Sequence, residues 1–260
     1  MNPICKQIRQ DILEVAYHSG HGHIPSCFSV VEILWALYGI MRHDPAQPRM
    51  ADRDLFILSK GHAALAHYCT LAKLGYFPSE AVRTFGHYQS TFGCHADRSK
   101  VPGVEVSTGS LGHGIGVAVG AALGLRLKGS SRQVFVIVGD GESNEGTVWE
   151  ALLVAESLKL ANLTVIYDNN LSHSRGLQIQ APLDKLKAFG CDAMEVPGHD
   201  LEALRAALLR SSDTVKAVVA NTVKGYGCPT LIRGQYEWHR RSPDAAQLAM
   251  LMEELDAQAV

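Results

Sequence analysis

The chain of 260 residues is long enough for one large domain or at most two small ones. Its 24 lysines and arginines nearly balance its 26 aspartates and glutamates, so the charge argues against a nucleic-acid partner. The most apolar window, residues 114–125, falls short of the roughly twenty residues that span a bilayer, which argues against a membrane role. The six cysteines form no CxxC pair and the start of the chain carries no signal-peptide core, so we expect reduced thiols and a cytoplasmic protein.

The first part of the chain predicts two helices, a strand and a long loop. Apolar residues at helical spacing within residues 4–15 indicate a first helix. The segment Ser29-Val30-Val31-Glu32 has the pattern of a capping box and predicts a second helix that runs to about Ile40. Residues 55–58 are an apolar run, which predicts a buried strand. The stretch 85–108 has no periodicity, and long loops in compact domains are usually functional.

The remaining elements alternate between strands and helices. Residues 134–138 and 163–167 are continuous β-branched and aromatic runs, as expected of buried parallel strands. Apolar residues at three- and four-residue steps between 149 and 160 predict a helix that connects them. The later predicted elements are a strand at 192–196, a helix at 200–211 opened by Asp200, a strand at 214–220 and a last helix begun by Ser242-Pro243. The pattern predicts an α/β fold with a doubly wound, mostly parallel sheet and helices on both faces.

A glycine stripe marks one predicted helix. Gly112, Gly116, Gly120 and Gly124 recur every four residues, each at a cost of roughly 0.5 to 1 kcal/mol relative to alanine. Because glycine lets another backbone approach closely, we expect this helix to pack tightly within the sheet layer or across a subunit boundary. The segment lacks the G-x-G-x-x-G spacing of a nicotinamide-binding fingerprint.

Polar side chains follow the two central predicted strands. Asp140 lies between Gly139 and Gly141 after the first strand, and Asn170 follows the second. Ligands bind at the carboxyl ends of parallel strands, so both side chains are expected at one crevice. Mg²⁺ takes about six oxygen ligands, of which the protein usually supplies a few. The side chains of Asp140 and Asn170, with a backbone carbonyl such as that of Ser172, predict a site for Mg²⁺, or for Ca²⁺ or Mn²⁺ in its place.

Several motifs in register resemble the transketolase family. Gly-Asp-Gly followed by Asn-Asn is the signature of thiamine diphosphate enzymes, and the flanking motifs specify transketolase. The resemblance covers roughly residues 5 to 245. The matching motifs are Ser59-Lys60-Gly61-His62, Pro102-Gly103-Val104-Glu105, Thr108-Gly109-Ser110-Leu111-Gly112, Glu145-Gly146, Thr222-Val223-Lys224-Gly225-Tyr226-Gly227 and Glu237-Trp238-His239.

The resemblance implies a set of cofactor-binding residues. The residues that would contact thiamine diphosphate are His62, Gly109, Ser110, Leu111, Gly139, Asp140, Gly141, Glu142 and Asn170. Ser110 and His113 stand where the family often has proline and glutamine, which leaves the expected backbone contacts intact but not the side-chain contacts. The backbone amides of Gly141 and Glu142 are expected to face the phosphates as a helix begins.

The resemblance also implies that four histidines belong to the catalytic pocket: His23 and His95 face the substrate, His62 contacts the cofactor diphosphate, and His239 lies on a carboxy-terminal loop. Neutral imidazoles suit this role, because they exchange hydrogen bonds with sugar hydroxyls and carry protons near neutral pH. His21 is a rival to His23, since the segment holds both. The chain departs from the family pattern at Pro25-Ser26-Cys27 and at Arg240-Arg241, which replace smaller or glycine-rich stretches.

The length of the chain implies a divided enzyme. Residues 1–260 are expected to form a single pyrophosphate-binding domain, with the pyrimidine-binding and carboxy-terminal domains on a partner chain. The family's activating glutamate lies on the pyrimidine-binding domain, so we expect this chain to be inactive alone. The resemblance implies an α2β2 assembly in which Glu145 and Glu150 face each other across the dimer interface.

The resemblance implies transfer of a two-carbon ketol unit from a ketose, or ketose phosphate, to an aldose. The sequence leaves the sugar open. Three alternatives remain, namely the α subunit of a 2-oxo acid dehydrogenase, which shares cofactor and fold, a non-catalytic cofactor-binding module, and a nicotinamide oxidoreductase, which a failure to bind thiamine diphosphate would favour. Activity on a ketose plus an aldose would separate the first alternative from a transketolase.

Overall fold

The computed structural model describes residues 1–258. Its helices are α1 (Pro3–Ser19), α2 (Ile24–Phe28), α3 (Val31–Tyr38), α4 (Ala64–Lys73), α5 (His113–Leu127), α6 (Gly146–Ser157), α7 (Pro182–Ala188), α8 (Leu201–Leu209), α9 (Pro229–Arg233) and α10 (Ala245–Asp256). Its strands are β1 (Leu55–Leu58), β2 (Val134–Gly139), β3 (Leu163–Asn169), β4 (Asp192–Pro197) and β5 (Lys216–Asn221). Across these described residues, no helix has both the length and the apolarity that crossing a membrane requires.

The five strands form one parallel sheet in the order β1-β2-β3-β5-β4. The register aligns Gly139 of β2 with Asp168 of β3, and Asn169 of β3 with Asn221 of β5. Because all strands run in the same direction, the residues that follow β1, β2, β3 and β5 meet at one edge of the sheet.

Helices cover both faces of the sheet, which confirms the predicted doubly wound architecture. Alternate residues of β2 enter different cores: Ile137 packs with α1, α2, α3, α4, α8 and α10, whereas Val136 and Val138 pack with α5, α6 and α7. A strand that is buried on both faces must be apolar along its whole length, and this explains the continuous apolar runs in the sequence.

The predicted capping box at Ser29 and Glu32 is wrong. The helix α3 begins at Val31, and its cap position is Val30, which makes no side-chain cap bond. The Ser29 hydroxyl donates instead to Asp168 over 2.8 Å, and both Glu32 oxygens accept from the Arg9 guanidinium at 2.6 and 2.7 Å. These partners from elsewhere in the chain provide charge-assisted hydrogen bonds, which are stronger than a bond between a hydroxyl and a backbone amide.

The start of the last helix also differs from its prediction at Ser242-Pro243. The helix α10 begins at Ala245, where Asp244 and Gln247 form a reciprocal capping box. By contrast, Asp200 caps α8 as predicted, because its carboxylate accepts from two amides of the first turn.

The glycine stripe on α5 has two different environments. An added Cβ at Gly112, the first glycine of the stripe, would lie 2.7 Å from the Cβ atom of Glu145, so this end packs tightly against the start of α6. Gly114, which lies in the first turn of α5 but outside the stripe, packs against the chain after β1, since an added Cβ there would lie 2.7 Å from the Cα atom of Ser59. Gly116, Gly120 and Gly124 have no atom of the described chain within 4 Å of a Cβ position. Their outward face is open in a single copy of the chain, so packing within the sheet layer explains only the first part of the stripe.

These two environments predict opposite effects of alanine on stability. Gly114→Ala should destabilise the chain by about 1–3 kcal/mol, because the new methyl group overlaps backbone atoms. Gly120→Ala, which adds a methyl group to an open helix surface, should stabilise the isolated chain by about 0.5–1 kcal/mol. Urea unfolding of both variants at low protein concentration measures the difference. Equal effects of the two substitutions would contradict the close approach at Gly114.

Candidate active site

A cavity of about 590 Å³ opens at the carboxyl edge of the sheet. Residues that follow β1, β2 and β3 line it, together with residues from the segments after α1, before α5 and after β5. The lining residues are His23, Ser26, Lys60, His62, His95, Gly109, Leu111, Gly139, Asp140, Gly141, Glu142, Asn170, Ser172, His173, Arg175, Gly176, Lys224, Tyr236, His239 and Arg240.

The cavity brings together every residue predicted to act on cofactor or substrate except Ser110. The Ser110 side chain is exposed, and its hydroxyl lies 3.1 Å from Nδ1 of His113. Glu145 and Glu150, which were predicted at an interface, are exposed at the start of α6 and are not among the lining residues.

At one end of the cavity, oxygen atoms cluster around Asp140. The Ser172 hydroxyl donates to Asp140 Oδ1 over 2.6 Å, and the Ser172 amide donates to Asn170 Oδ1 over 3.1 Å. The second carboxylate oxygen, Asp140 Oδ2, is buried and has no hydrogen-bond partner within residues 1–258. An unpaired buried carboxylate oxygen is costly, so this atom requires a cationic or donor partner that residues 1–258 do not supply.

A buried carboxylate, Asp168, binds two residues that line the cavity, Lys60 and Asn170. It is fully buried and pairs with the Lys60 ammonium at 2.6 Å. It also accepts hydrogen bonds from Ser29 at 2.8 Å, from Asn170 at 2.9 Å and from the Thr222 hydroxyl. These four donors come from four separate segments of the chain, so one side chain fixes their relative positions.

A second buried carboxylate, Glu142, fixes the wall of the cavity. It accepts hydrogen bonds from the Ser59 hydroxyl, from the Gly112 amide at 2.9 Å and from the Gly139 amide at 3.0 Å. Burial raises the pKa of Glu142, and these donors partly offset the effect. The Glu142 side chain therefore holds these three segments of the chain together. Glu142 itself belongs to a short 3-10 turn, and α6 begins only at Gly146.

Three of the predicted histidines form a cluster. The ring centroid of His23 lies 5.2 Å from that of His62 and 5.2 Å from that of His239. His95 also lines the cavity, and an added Cβ at Gly109 would lie 3.4 Å from its ring. The imidazoles therefore surround one region of the cavity.

Burial and nearby cations keep these imidazoles neutral. Burial, followed by the charges of His239 and Arg240, lowers the pKa of His23 to about 4. Burial and the charge of Lys224 lower the pKa of His239 to about 4. The pKa of His62 falls well below 6.5 for the same two kinds of reason, and that of His95 falls through burial and Arg240. Neutral imidazoles can both donate and accept hydrogen bonds at pH 7.

The structure separates His21 from His23. His21 Nδ1 lies 3.3 Å from the Cys94 sulfur, and its ring packs against Phe85, whereas His23 lines the cavity. An added Cβ at Gly86 would collide with the His21 ring, so this histidine is enclosed by the 85–96 segment.

Two lysines of the cavity were not predicted as site residues. Lys60 and Lys224 are 2% and 4% exposed. Burial, followed by the charge of Lys60, lowers the pKa of Lys224 to about 8. Both lysines stand inside motifs noted in the sequence, but a lysine in a motif does not reveal that it is buried. Asp168 was not predicted as a site residue either. Its importance was easier to infer from the sequence than that of the lysines, because an acidic residue near the end of a buried parallel strand requires a cationic partner.

Comparison with known proteins identifies the family. A family model described as "Transketolase, thiamine diphosphate binding domain" matches residues 2–258. The crystal structure of transketolase from Campylobacter jejuni matches with a TM-score of 0.89 at 26% identity, over 98% of this chain and 43% of that chain. The chain thus spans about two fifths of that solved transketolase.

Relatives that are named as subunits match over most of their length. An apulose-4-phosphate transketolase subunit of Actinobacillus succinogenes is 39% identical to this chain. The match covers 96% of this chain and 94% of that relative. A 6-deoxy-6-sulfo-D-fructose transketolase subunit of Clostridium sp. strain MSTE9 is 35% identical, over 85% of this chain and 83% of that relative. The chain therefore belongs to the transketolase family, as an amino-terminal subunit of the split kind. The resemblance, the enzyme class and the fold expected from them are confirmed.

The position of Arg240 predicts a selective change in histidine titration. Arg240→Ala should raise the pKa values of His23, His95 and His239, because it removes a positive charge that disfavours the imidazolium forms. Most of the depression should remain, since burial is its largest cause. Titration of the imidazole resonances by NMR measures the shifts.

The control for this titration is His67. Its pKa is lowered to about 3 by burial and by the charge of Arg53, so it should not respond to Arg240→Ala. A shift of His67 equal to that of the cavity histidines would mean that the substitution has loosened the whole fold.

Proposed function

We propose that this chain anchors the diphosphate of thiamine diphosphate and a divalent cation, Mg²⁺ in the first place, in a two-subunit transketolase. The enzyme would transfer a two-carbon ketol unit from a ketose to an aldose. The observation that carries the proposal is the buried, unpartnered Asp140 Oδ2 beside Asn170 and Ser172. A carboxylate oxygen, an amide oxygen and a backbone carbonyl are the hard oxygen ligands that Mg²⁺ prefers.

Positively charged side chains and two backbone segments that approach each other closely support the assignment of a diphosphate site. Lys60 and Lys224 place ammonium groups at the cavity, next to the Gly139-Asp140-Gly141 turn. Glycine at position 61 allows the backbone after β1 to approach the 108–109 segment, where an added Cβ would lie 2.8 Å from the Thr108 hydroxyl. Positive side chains and accessible backbone suit a phosphate-bearing ligand.

The chain's own residues supply orientation and proton handling. When bound, thiamine diphosphate supplies the carbanion chemistry that breaks and forms the carbon–carbon bond. His23, His62, His95 and His239 would exchange hydrogen bonds with the hydroxyls of the sugar and hold protons beside the reacting carbonyl. Their neutral state supports this role, because an imidazolium could only donate.

The substrate is proposed to be a ketose that carries an anionic group. The names of two relatives include a phosphate and a sulfo group. Arg175 and Arg240 line the cavity of this chain and are exposed, so their guanidinium groups are available to an anion at its mouth. The free cysteines support a reducing compartment, and we place the enzyme in the cytoplasm.

A partner subunit would complete the site. No residue of this chain matches the family's activating glutamate, and a relative of nearly equal extent is itself named as one subunit of a transketolase. The single pyrophosphate-binding domain would therefore pair with a chain that holds the pyrimidine-binding and carboxy-terminal domains.

Self-association through α5 and α6 would give an α2β2 assembly. The two helices pack against each other on one face of the sheet. Their outer surface exposes Val117, Leu153 and Val154 by 46%, 56% and 50%. Contiguous exposed apolar side chains mark interaction surfaces, and Glu145 and Glu150 would lie at its edge.

Cofactor binding should require both the metal site and the partner. Titration calorimetry of thiamine diphosphate with Mg²⁺ into the purified chain should show weak binding, which strengthens when the carboxy-terminal subunit is added. Asp140→Ala should abolish binding in both cases, because it removes the carboxylate ligand. Full affinity and ketose turnover by this chain alone would refute the divided site.

The α5–α6 surface predicts a selective loss of self-association. Val117→Glu should raise the dissociation constant between copies by more than about tenfold, because it buries a charge in the contact. Leu209→Glu is the control, since Leu209 is 68% exposed on α8, on the opposite face of the sheet. Sedimentation velocity of both variants measures the effect. If Val117→Glu leaves the oligomer intact, the copies associate through another surface.

A further inference from the structure

A histidine outside the cavity uses both of its ring nitrogens. His199 lies just before α8, and its side chain is 12% exposed. Its Nδ1 atom lies 2.8 Å from Glu32 Oε2, and its Nε2 atom lies 2.8 Å from the backbone nitrogen of Val223. Because Glu32 accepts and the Val223 amide donates, the imidazole carries its proton on Nδ1 and accepts on Nε2.

The surroundings hold this imidazole rigidly. Its ring stacks on Tyr226, with centroids 3.6 Å apart and planes 9° from parallel. Its carboxylate partner, Glu32, forms a bidentate ion pair with Arg9, and both side chains are almost fully buried. The Arg9 guanidinium lies 5.1 Å from the Tyr226 ring, so Arg9, Glu32, His199 and Tyr226 form a closed ring of contacts, which we call the frame. A hydrogen bond from such a frame fixes the position of the backbone that it contacts.

The backbone fixed in this way carries Lys224. Lys224 follows Val223 directly, and its ammonium makes no hydrogen bond to residues 1–258, although it lines the cavity. The ammonium lies 6.0 Å from the centroid of the Tyr236 ring, and its location otherwise depends on the backbone of the segment 222–227. Four hydrogen bonds fix that segment near Lys224. The Thr222 hydroxyl donates to Asp168, the Thr222 amide donates to the Asn169 carbonyl over 3.2 Å, and the Gly225 amide donates to the Pro25 carbonyl over 3.1 Å. The fourth bond, from the Val223 amide to His199, is the one nearest to Lys224 along the chain that a side chain accepts.

We infer that His199 is a positioning residue, which holds Lys224 against the diphosphate end of the cofactor by accepting a hydrogen bond from the Val223 amide. The inference rests on the proposed function only for the identity of the ligand. The placement of Lys224 by His199 is independent of that function. His199 touches neither cofactor nor substrate, so its effect on binding passes through Lys224.

Two substitutions separate the bonds made by His199. In His199→Gln the side-chain oxygen reaches the place of Nε2 and can still accept from Val223. In His199→Asn the shorter amide reaches the place of Nδ1 and keeps the bond to Glu32 but loses Val223. Both variants lose the ring stack, so a merely structural role would change both alike.

Cofactor affinity is the first measurement. Calorimetry of thiamine diphosphate with Mg²⁺, with the partner subunit present, should show binding to His199→Asn that is weaker by about tenfold, and nearly unchanged binding to His199→Gln. The melting temperatures of the two variants should fall by similar amounts, because each loses one hydrogen bond of the frame and the stack.

The reactivity of Lys224 is the second measurement, and it needs no cofactor. Acetylation by acetic anhydride, read by mass spectrometry across pH, reports the pKa of this amine. The pKa is lowered to about 8, and it should rise in His199→Asn as the freed side chain gains water, but not in His199→Gln. The groups that face Lys224 are Lys60, Asp140, Asp168, His23, His62, His239 and Tyr236.

Exchange of the Val223 amide tests the bond without any substitution. The Val223 amide donates to His199, so protection of this amide against hydrogen exchange reports that bond. We expect slow exchange in the unaltered protein, and this measurement remains decisive if either variant fails to fold. Exchange at the rate of an unprotected loop amide would overturn the inference.

The outcomes distinguish the two proposals. Equal loss of affinity in both variants, or an unchanged Lys224 profile in His199→Asn, would overturn the positioning role. If the unaltered protein with its partner binds no thiamine diphosphate but the labelling difference persists, the proposed function fails and the positioning of Lys224 by His199 stands.

Discussion

The cavity depends on one buried carboxylate. Asp168 has no exposed surface, and an unpaired charge there would cost several kcal/mol, roughly 3–5 by analogy with other buried pairs. It is tolerated because Lys60 neutralises it and because Ser29, Asn170 and Thr222 donate to it. These donors follow β1, α2, β3 and β5, so the elements can reach their final positions only when they converge on this side chain. The carboxyl edge of the sheet is thereby fixed before any ligand binds.

The charges of the cavity are divided between its two ends. At the end that holds Asp140, one carboxylate oxygen has no hydrogen-bond partner within residues 1–258, and the ammonium of Lys224 has its pKa lowered by burial and by Lys60. At the other end, burial and the same cations disfavour imidazolium, and His23 and His239 stay neutral. The ammonium groups of Lys60 and Lys224 would stabilise an anionic ligand, while burial, the largest cause of the lowered pKa values, would keep His23 and His239 neutral. The arrangement thus suits a cofactor that is charged at one end and reacts at the other.

The helices on the two faces of the sheet differ in the size of the core that they cover and in the surface that they expose. The face covered by α1 and α8 is closed by a large apolar core and by buried ion pairs such as that of Arg9 with Glu32. The face covered by α5 and α6 has a smaller core, and its helices turn apolar side chains and open glycines outward. A helix surface of this kind is stable in water only at a cost in exposed apolar area, which contact with another surface would remove.

The sequence by itself determined the strands, their parallel arrangement and the types of residue at their ends, because apolar runs and the Gly139-Asp140-Gly141 turn are local patterns with local causes. Only the tertiary structure decided which partner each polar group takes. Ser29 has the sequence signature of a helix cap, yet it bonds Asp168, 139 residues away. Likewise His21 and His23 are indistinguishable by spacing, and packing alone directs one to Cys94 and the other into the cavity. Spacing along a chain reports residue types, whereas the cost of burying a charge or a donor is set by neighbours that folding brings together.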